Sequence, residues 1–238
     1  MKKLLIFAII PALAILTFAC ARSYTIATER EIAELNEKFP SHRIFYLASS
    51  MYYGVFWKDS RYYYVTPYVP ASLTYLSSPT GKNIPPPPHI GILAAGTPVK
   101  IQEVQFPTAA VVNSRVLMTP RYYPWVYLDI ITPERSLKAV LVIPAAVKEP
   151  PAAIERKIQA HLLDSDPKEK LDKLTKEERD AIWRKEAFVG MTIESAEFAL
   201  GAAPEIKALH HGKNYEVLWT FYDGRKYYFE NGILTKIE

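Results

Sequence analysis

Asp223-Gly224 and Asn231-Gly232 constrain the fold of this chain more than any other feature. Asp-Gly and Asn-Gly are the preferred dipeptides of two-residue type I′ turns, because both central positions need positive φ. Short strand-forming runs flank them. Glu216 to Tyr222 alternates, with Val217, Trp219 and Phe221 on one face, and Arg225–Glu230 and Ile233–Ile237 follow. Three short strands joined by two tight turns specify an antiparallel meander. Just upstream, Thr192 is placed to cap a helix over 193–200, and Gly201 suits the left-handed position beyond its end.

The signals before this segment fall into blocks. Thr28-Glu29-Arg30-Glu31 reads as a capping box, and Ile32, Leu35 and Phe39 give the helix that follows one apolar face. From Arg43 to about Ile143 the pattern changes to strands. Met51–Trp57 and Arg61–Thr66, separated by Lys58-Asp59-Ser60, read as a hairpin. Pro85 to Pro88 forms a polyproline II stretch with no donors for a sheet. Val99–Val104, Val111–Met118, Trp125–Ile131 and Leu137–Ile143 are further strand candidates, and so many short strands predict a small barrel or sandwich. Lys148-Glu149-Pro150-Pro151 marks a boundary, after which Ile154, Ile158 and Leu162 recur every four residues. Thr175-Lys176-Glu177-Glu178 is a second capping box, opening a helix to about Ala187 whose charges read as a solvated face.

The N-terminus has the order of a signal peptide. Lys2 and Lys3 are followed by sixteen uncharged residues, Leu4 to Ala19. That run is shorter than the ~20 residues of a spanning helix, and Pro11 interrupts it. Cys20, the single cysteine, stands at its end, so no intramolecular disulfide is possible. Thr17-Phe18-Ala19-Cys20 resembles the lipobox of bacterial lipoproteins. The resemblance implies cleavage before Cys20, diacylation of its thiol and attachment to a membrane. Two acyl chains make a stable anchor. Ala21 and Arg22 follow the cysteine, and in such lipoproteins this implies the outer membrane, facing the periplasm.

Gly190-Met191-Thr192, then Leu200-Gly201-Ala202-Ala203-Pro204, Trp219, and Tyr228-Phe229-Glu230-Asn231-Gly232-Ile233-Leu234 form an ordered series. It resembles the SmpA/OmlA (BamE-like) domain of envelope lipoproteins, over residues 167–238. The resemblance implies a two-layer domain, helices on a three-stranded antiparallel meander, serving as a binding or assembly module without catalytic activity. Met191, Phe198, Leu200, Trp219, Phe229 and Leu234 are candidate core. Residues 24 to 150 have no counterpart in a minimal member of that family.

No nucleophile elbow, P-loop, dinucleotide fingerprint or zinc-protease motif occurs in the sequence. The five histidines are scattered, and His210-His211 reads as a loop rather than a metal site. The formal charge of +4 falls to near +2 once Lys2 and Lys3 leave with the leader, too mild for nucleic acid, and there is no basic stripe. No cofactor, metal or enzymatic activity is therefore expected. The aromatic run within 52–68 is the feature open to several readings. Tyr52, Trp57, Tyr62 and Tyr64 can stack on glycan rings, anchor a protein partner, or fill a β core. The expected chain is α+β: leader 1–19, lipidated linker and short helix 20–42, β-rich domain 43–148, linker with helix 149–166, and the SmpA/OmlA-like domain 167–238. Its expected partners are a membrane through Cys20, an envelope protein, and a cell-wall glycan at the aromatic hairpin.

Overall fold

The computed structural model describes residues 24–146, 149–211 and 214–238. The leader and Cys20 lie outside the described residues. The fold is α+β, built on one eight-stranded and one four-stranded sheet.

The first unit contains, in chain order, α1 (Glu29–Glu37), β1 (Phe45–Leu47), β2 (Met51–Phe56), β3 (Asp59–Thr66), β4 (Gly91–Leu93), β5 (Pro98–Gln105), α2 (Ala109–Ser114), β6 (Trp125–Ile131), β7 (Ser136–Val142), α3 (Pro151–Gln159) and β8 (Leu162–Leu163). Its strands form one sheet in the order β4-β2-β3-β7-β6-β5-β1-β8. Neighbours are antiparallel except β3 and β7, where Tyr64 pairs with Val140 in parallel register. Phe45, Met51, Val65, Leu93, Leu128, Ala139 and Leu162, from strands across the whole width, meet in a single apolar cluster. The sheet therefore curls around its own inner face; it is neither a two-sheet sandwich nor a flat layer. Leu35 and Phe39 of the α1 segment and Ile154 and Ile158 of α3 fill the curl. Segments expected as linkers thus complete the first core.

Local chemistry explains these elements. The Thr28–Glu31 capping box forms at the start of α1. Near the far end of that helix, Asn36 Nδ2 donates to the carbonyl of Val104 at 3.0 Å, and the Val104 amide donates to Asn36 Oδ1 at 2.7 Å. One side-chain amide stands in for a strand along the part of β5 beyond its short pairing with β1. Val111–Met118 is not a strand as its apolar run suggested. Thr108 caps a short helix there, its Oγ1 accepting from the Val111 amide at 3.3 Å.

The second unit contains α4 (Lys168–Asp172), α5 (Lys176–Arg184), α6 (Ile193–Leu200), β9 (Glu205–His211), β10 (Asn214–Thr220), β11 (Lys226–Glu230) and β12 (Ile233–Ile237). The sheet order is β12-β11-β10-β9, all antiparallel, so the expected three-stranded meander is a four-stranded one. The expected loop at His210-His211 belongs to strand β9. Met191, Phe198, Leu200, Trp219, Phe229 and Leu234 all lie in the core between helices and sheet, with the Trp219 and Phe229 ring centroids 4.5 Å apart.

The two turns differ. Asn231 and Gly232 both have positive φ, 51° and 82°, as a type I′ turn requires. At the other turn only Gly224 is left-handed, at 88°, and its amide donates to the Phe221 carbonyl at 3.0 Å. That loop is a turn over residues 221–224 closed by a left-handed glycine, the pattern of a longer hairpin loop.

Candidate functional site

The residues flagged in the aromatic hairpin separate into three environments. Tyr64 is 1% exposed, and its hydroxyl donates to the Pro87 carbonyl at 3.0 Å. Trp57, in the left-handed region at φ 45°, is buried, and its Nε1 donates to the Ile84 carbonyl at 3.1 Å. The polyproline stretch therefore lies across the outer face of the hairpin. It makes no ladder of its own, and its free carbonyls accept from the rings beneath. Gly54 permits this approach: a Cβ there would come within 2.8 Å of the Tyr64 ring and 2.9 Å of the Pro88 carbonyl. Phe56, Trp125, Val140 and Leu73 complete a second apolar core under this cover. Trp57 and Tyr64 are thus unavailable to a glycan or a protein partner, because their faces are spent on intramolecular packing.

Tyr52 is half-buried and faces the junction between the two units. There Lys185 is the central residue. Helix α5 ends at Arg184, and Lys185 adopts φ 56° and ψ 46°, a left-handed conformation that turns its side chain inward. It is only 4% exposed. Its Nζ donates to the carbonyls of Ser50 at 2.5 Å, Leu200 at 3.0 Å and Ala199 at 3.2 Å. An ammonium has three protons, and each has an acceptor. Two of these acceptors are carbonyls that α6 leaves unpaired at its C-terminal end, where a positive charge also meets the helix dipole favourably.

The remaining carbonyls of that turn are accounted for as well. Glu197 accepts from the Gly201 amide at 2.9 Å, and Phe198 accepts from the Ser50 amide at 2.8 Å. The Ser50 hydroxyl donates to Ile182 at 2.6 Å and accepts from the Ala95 amide at 3.1 Å. A serine in the β1–β2 connection and a lysine after α5 thus cap one helix from two directions. Gly201 closes the joint: a Cβ there would lie 2.8 Å from Ser49 Oγ and 2.9 Å from Pro67.

Electrostatics at the junction follow from burial. Desolvation, reinforced by Arg225, pulls the Lys185 amine down to about 7, while its three carbonyl acceptors favour the ammonium. His161 is buried beside it, and desolvation, with Lys185 adding to it, lowers the imidazole to about 4. Tyr68 packs edge-on against His161 and Tyr222, at centroid distances of 6.5 and 4.8 Å, and burial raises its phenol to about 12. A cavity of about 10 Å³ lies between Tyr52, Tyr68, Lys185, Tyr222 and Arg225, enough for about one water. With every amine proton engaged, Lys185 acts as a clamp rather than a nucleophile.

Two other open surfaces carry aromatic side chains. Tyr62 is half-buried on the outer sheet face, 5.3 Å from Tyr127 between ring centroids, beside a groove of about 450 Å³. On another side, Trp183 of α5 is 68% exposed and borders two grooves, one of about 330 Å³ containing Leu171 and Ile182, the other of about 450 Å³ containing Ile92, Pro98 and Ile131. Sequence reasoning missed Lys185, Ser50, Tyr127 and Trp183. Only Trp183 left a trace, as an aromatic in an otherwise charged helix.

Among the described residues, no three His, Cys, Asp or Glu side chains are grouped to hold a metal ion, and no helix is long and apolar enough to cross a membrane. No family model, curated protein or solved structure matches this chain.

Proposed function

We propose that this chain is a lipid-tethered, non-catalytic interaction module of the cell envelope, anchored through Cys20 to the outer membrane and facing the periplasm. In this reading residues 167–238 form an SmpA/OmlA-like unit, and the curled sheet that precedes it is a rigidly joined second body. The Gly190-Met191-Thr192 start, the helix ending at Leu200-Gly201 and the Asn231-Gly232 hairpin support the family assignment. The fourth strand, β9, is an addition to the pattern that the resemblance implies.

The observation that carries the interaction role is Trp183. A largely exposed indole between two grooves with apolar walls is the kind of anchor around which protein interfaces are organised. The test is a photo-reactive amino acid at Arg135, on the rim of the larger of the two grooves, incorporated in cells. A discrete cross-linked adduct, weakened by Trp183→Ala without a change in melting temperature, is the expected outcome. If Arg135 gives no adduct beyond that from a site at Lys226, on the other unit's sheet, the Trp183 surface is not an interface.

A further inference from the structure

The outer face of the curled sheet is covered at one end by the 67–90 segment and open at the other. The open part spans four neighbouring strands, with Tyr62 on β3, Lys138 on β7, Tyr127 and Asp129 on β6, and Gln102, Glu103 and Gln105 on β5. A β-bulge shapes it. Ile101 pairs with Leu128 and Glu103 pairs with Tyr127, so Gln102 is an extra residue. Two consecutive side chains, Gln102 and Glu103, are exposed where strict alternation would bury one.

The amides of this groove already have hydrogen-bond partners, and Gln105 is anchored against a buried one. Gln105 Oε1 accepts from Arg115 Nε at 3.1 Å and from the Tyr127 hydroxyl at 3.4 Å. A guanidinium only donates, so the amide oxygen must face it and the NH₂ group is left over. Arg115 is itself immobilised. It is buried, its guanidinium donates to the carbonyls of Arg121 and Tyr123 at 2.8 Å, and it stacks on Trp125 at 3.7 Å. Gln102 has the opposite polarity. Its Nε2 donates to Asp129 Oδ2 at 2.8 Å, so its carbonyl oxygen is left over. The groove therefore offers one pre-set donor, one pre-set acceptor and a tyrosine ring. Its charges are mixed: Glu103, Asp129 and Lys138 line it, Arg115 lies behind Gln105, and Arg61 sits 5.7 Å from the Tyr62 ring centroid.

We infer that this groove is a binding site for a neutral sugar, with Tyr62 stacking on the pyranose face and Gln102 and Gln105 hydrogen-bonding its hydroxyls. The hydroxyls of a sugar both donate and accept, which matches one free donor beside one free acceptor. The Gln105 amide, fixed by Arg115, binds one without first losing rotamer freedom. Lys138 stands beside Glu103 and Asp129, and Arg115 is spent on internal carbonyls, so the lining holds no cluster of free cations to select phosphorylated, sulfated or carboxylated glycans. The membrane tether and the Trp183 surface are not needed for this site.

The test is NMR titration of the purified full chain with two neutral probes, β-linked glucose and N-acetylglucosamine oligomers, and with sulfated oligomers of equal length. Saturable shifts at the amides of 102–105 and 127–129 with a neutral probe are expected. Tyr62→Ala and Gln105→Ala should each weaken binding about tenfold, while Tyr62→Phe keeps the ring and stays within about threefold. Trp183→Ala should leave sugar binding unchanged, so failure here is distinct from failure of the proposed partner surface. Absence of saturable shifts with both neutral probes overturns the site, as does unchanged affinity in Tyr62→Ala or preferential binding of the sulfated oligomers.

Discussion

The ammonium of Lys185 and the backbone carbonyl of Ser50 lie 2.5 Å apart although 135 residues separate them in the chain. That bond, with those from the same nitrogen to Ala199 and Leu200, fastens the curled sheet to the C-terminal unit at the end of α6. Lys185→Ala should destabilise the protein by about 2–4 kcal/mol, since it leaves buried carbonyls without donors. Lys185→Met, which keeps the packing of the stem, should cost less. Urea denaturation followed by tryptophan fluorescence checks both, and a Lys185→Ala midpoint equal to that of the unaltered chain would contradict the clamp.

The same junction makes stability depend on pH in two separate windows. His161 is held near 4 in the fold against an ordinary 6.5, so the unfolded chain binds more protons between those values. Stability is therefore lost as pH falls from about 6.5 to about 4, by an amount on the order of 3 kcal/mol. Burial lowers Lys185 below its ordinary 10.5, against the pull of its three carbonyl acceptors, so the same sign applies on the alkaline side and stability rises as pH approaches 10.5. Denaturation midpoints across pH should show the lower slope disappear in His161→Gln and the upper one in Lys185→Met.

Gly201 and Gly232 provide a contrast: Gly201, at ψ 176°, is not in the left-handed conformation its place after the helix suggested but in a region that glycine alone occupies readily. Both have positive φ, at 87° and 82°, but a Cβ at Gly201 would strike Ser49 and Pro67, whereas one at Gly232 meets nothing within 4 Å. Gly232→Ala should cost only the backbone strain, about 1 kcal/mol. Gly201→Ala adds a clash and should cost at least about 2 kcal/mol. Equal losses would mean that the junction yields without resistance.

The tryptophans at 219 and 183 make the opposite contrast. Trp219 is buried against Phe229, and Trp219→Ala should cost about 3–5 kcal/mol. Trp183→Ala should stay within about 0.5 kcal/mol, as for other exposed positions. Thermal melts of the two variants compare them directly.

Anchoring through Cys20 predicts that Cys20→Ala moves the protein from the membrane pellet to the soluble fraction of fractionated cells. Retention of Cys20→Ala in the membranes would refute the lipid anchor.

What could be read from the sequence depended on whether a feature was local. The capping boxes at Thr28 and Thr175, the helix over Ile193–Leu200 and the Asn231-Gly232 turn each involve residues a few positions apart, and each formed as expected. Strand β9 was missed because the alternation Glu205-Ile206-Lys207-Ala208 is short and runs into His210-His211, which read as a loop. The Val111–Met118 run was misread because Thr108 outweighs the β-branched residues after it. At the sites, Tyr62 was legible as an aromatic on a strand. Its partners Gln105 and Tyr127 were not, since strand order alone brings β3, β7, β6 and β5 together. Lys185 was invisible for the same reason: a lysine in a run of charged residues reads as solvated until Ser50 and α6 are folded against it.

The pairing of β8 with β1 bears on how the chain can be divided. Leu162 pairs with Leu47 at the sheet edge, and Ile154 and Ile158 of α3 plug the curl from the same stretch of chain. The proline-rich boundary near residue 150, the obvious point for a cut, lies before all three. A fragment ending there would lose one wall and the stopper of its own interior. A separable first half must extend through Leu163, and even then it would present the Ser49–Ser50 bend with its helix removed.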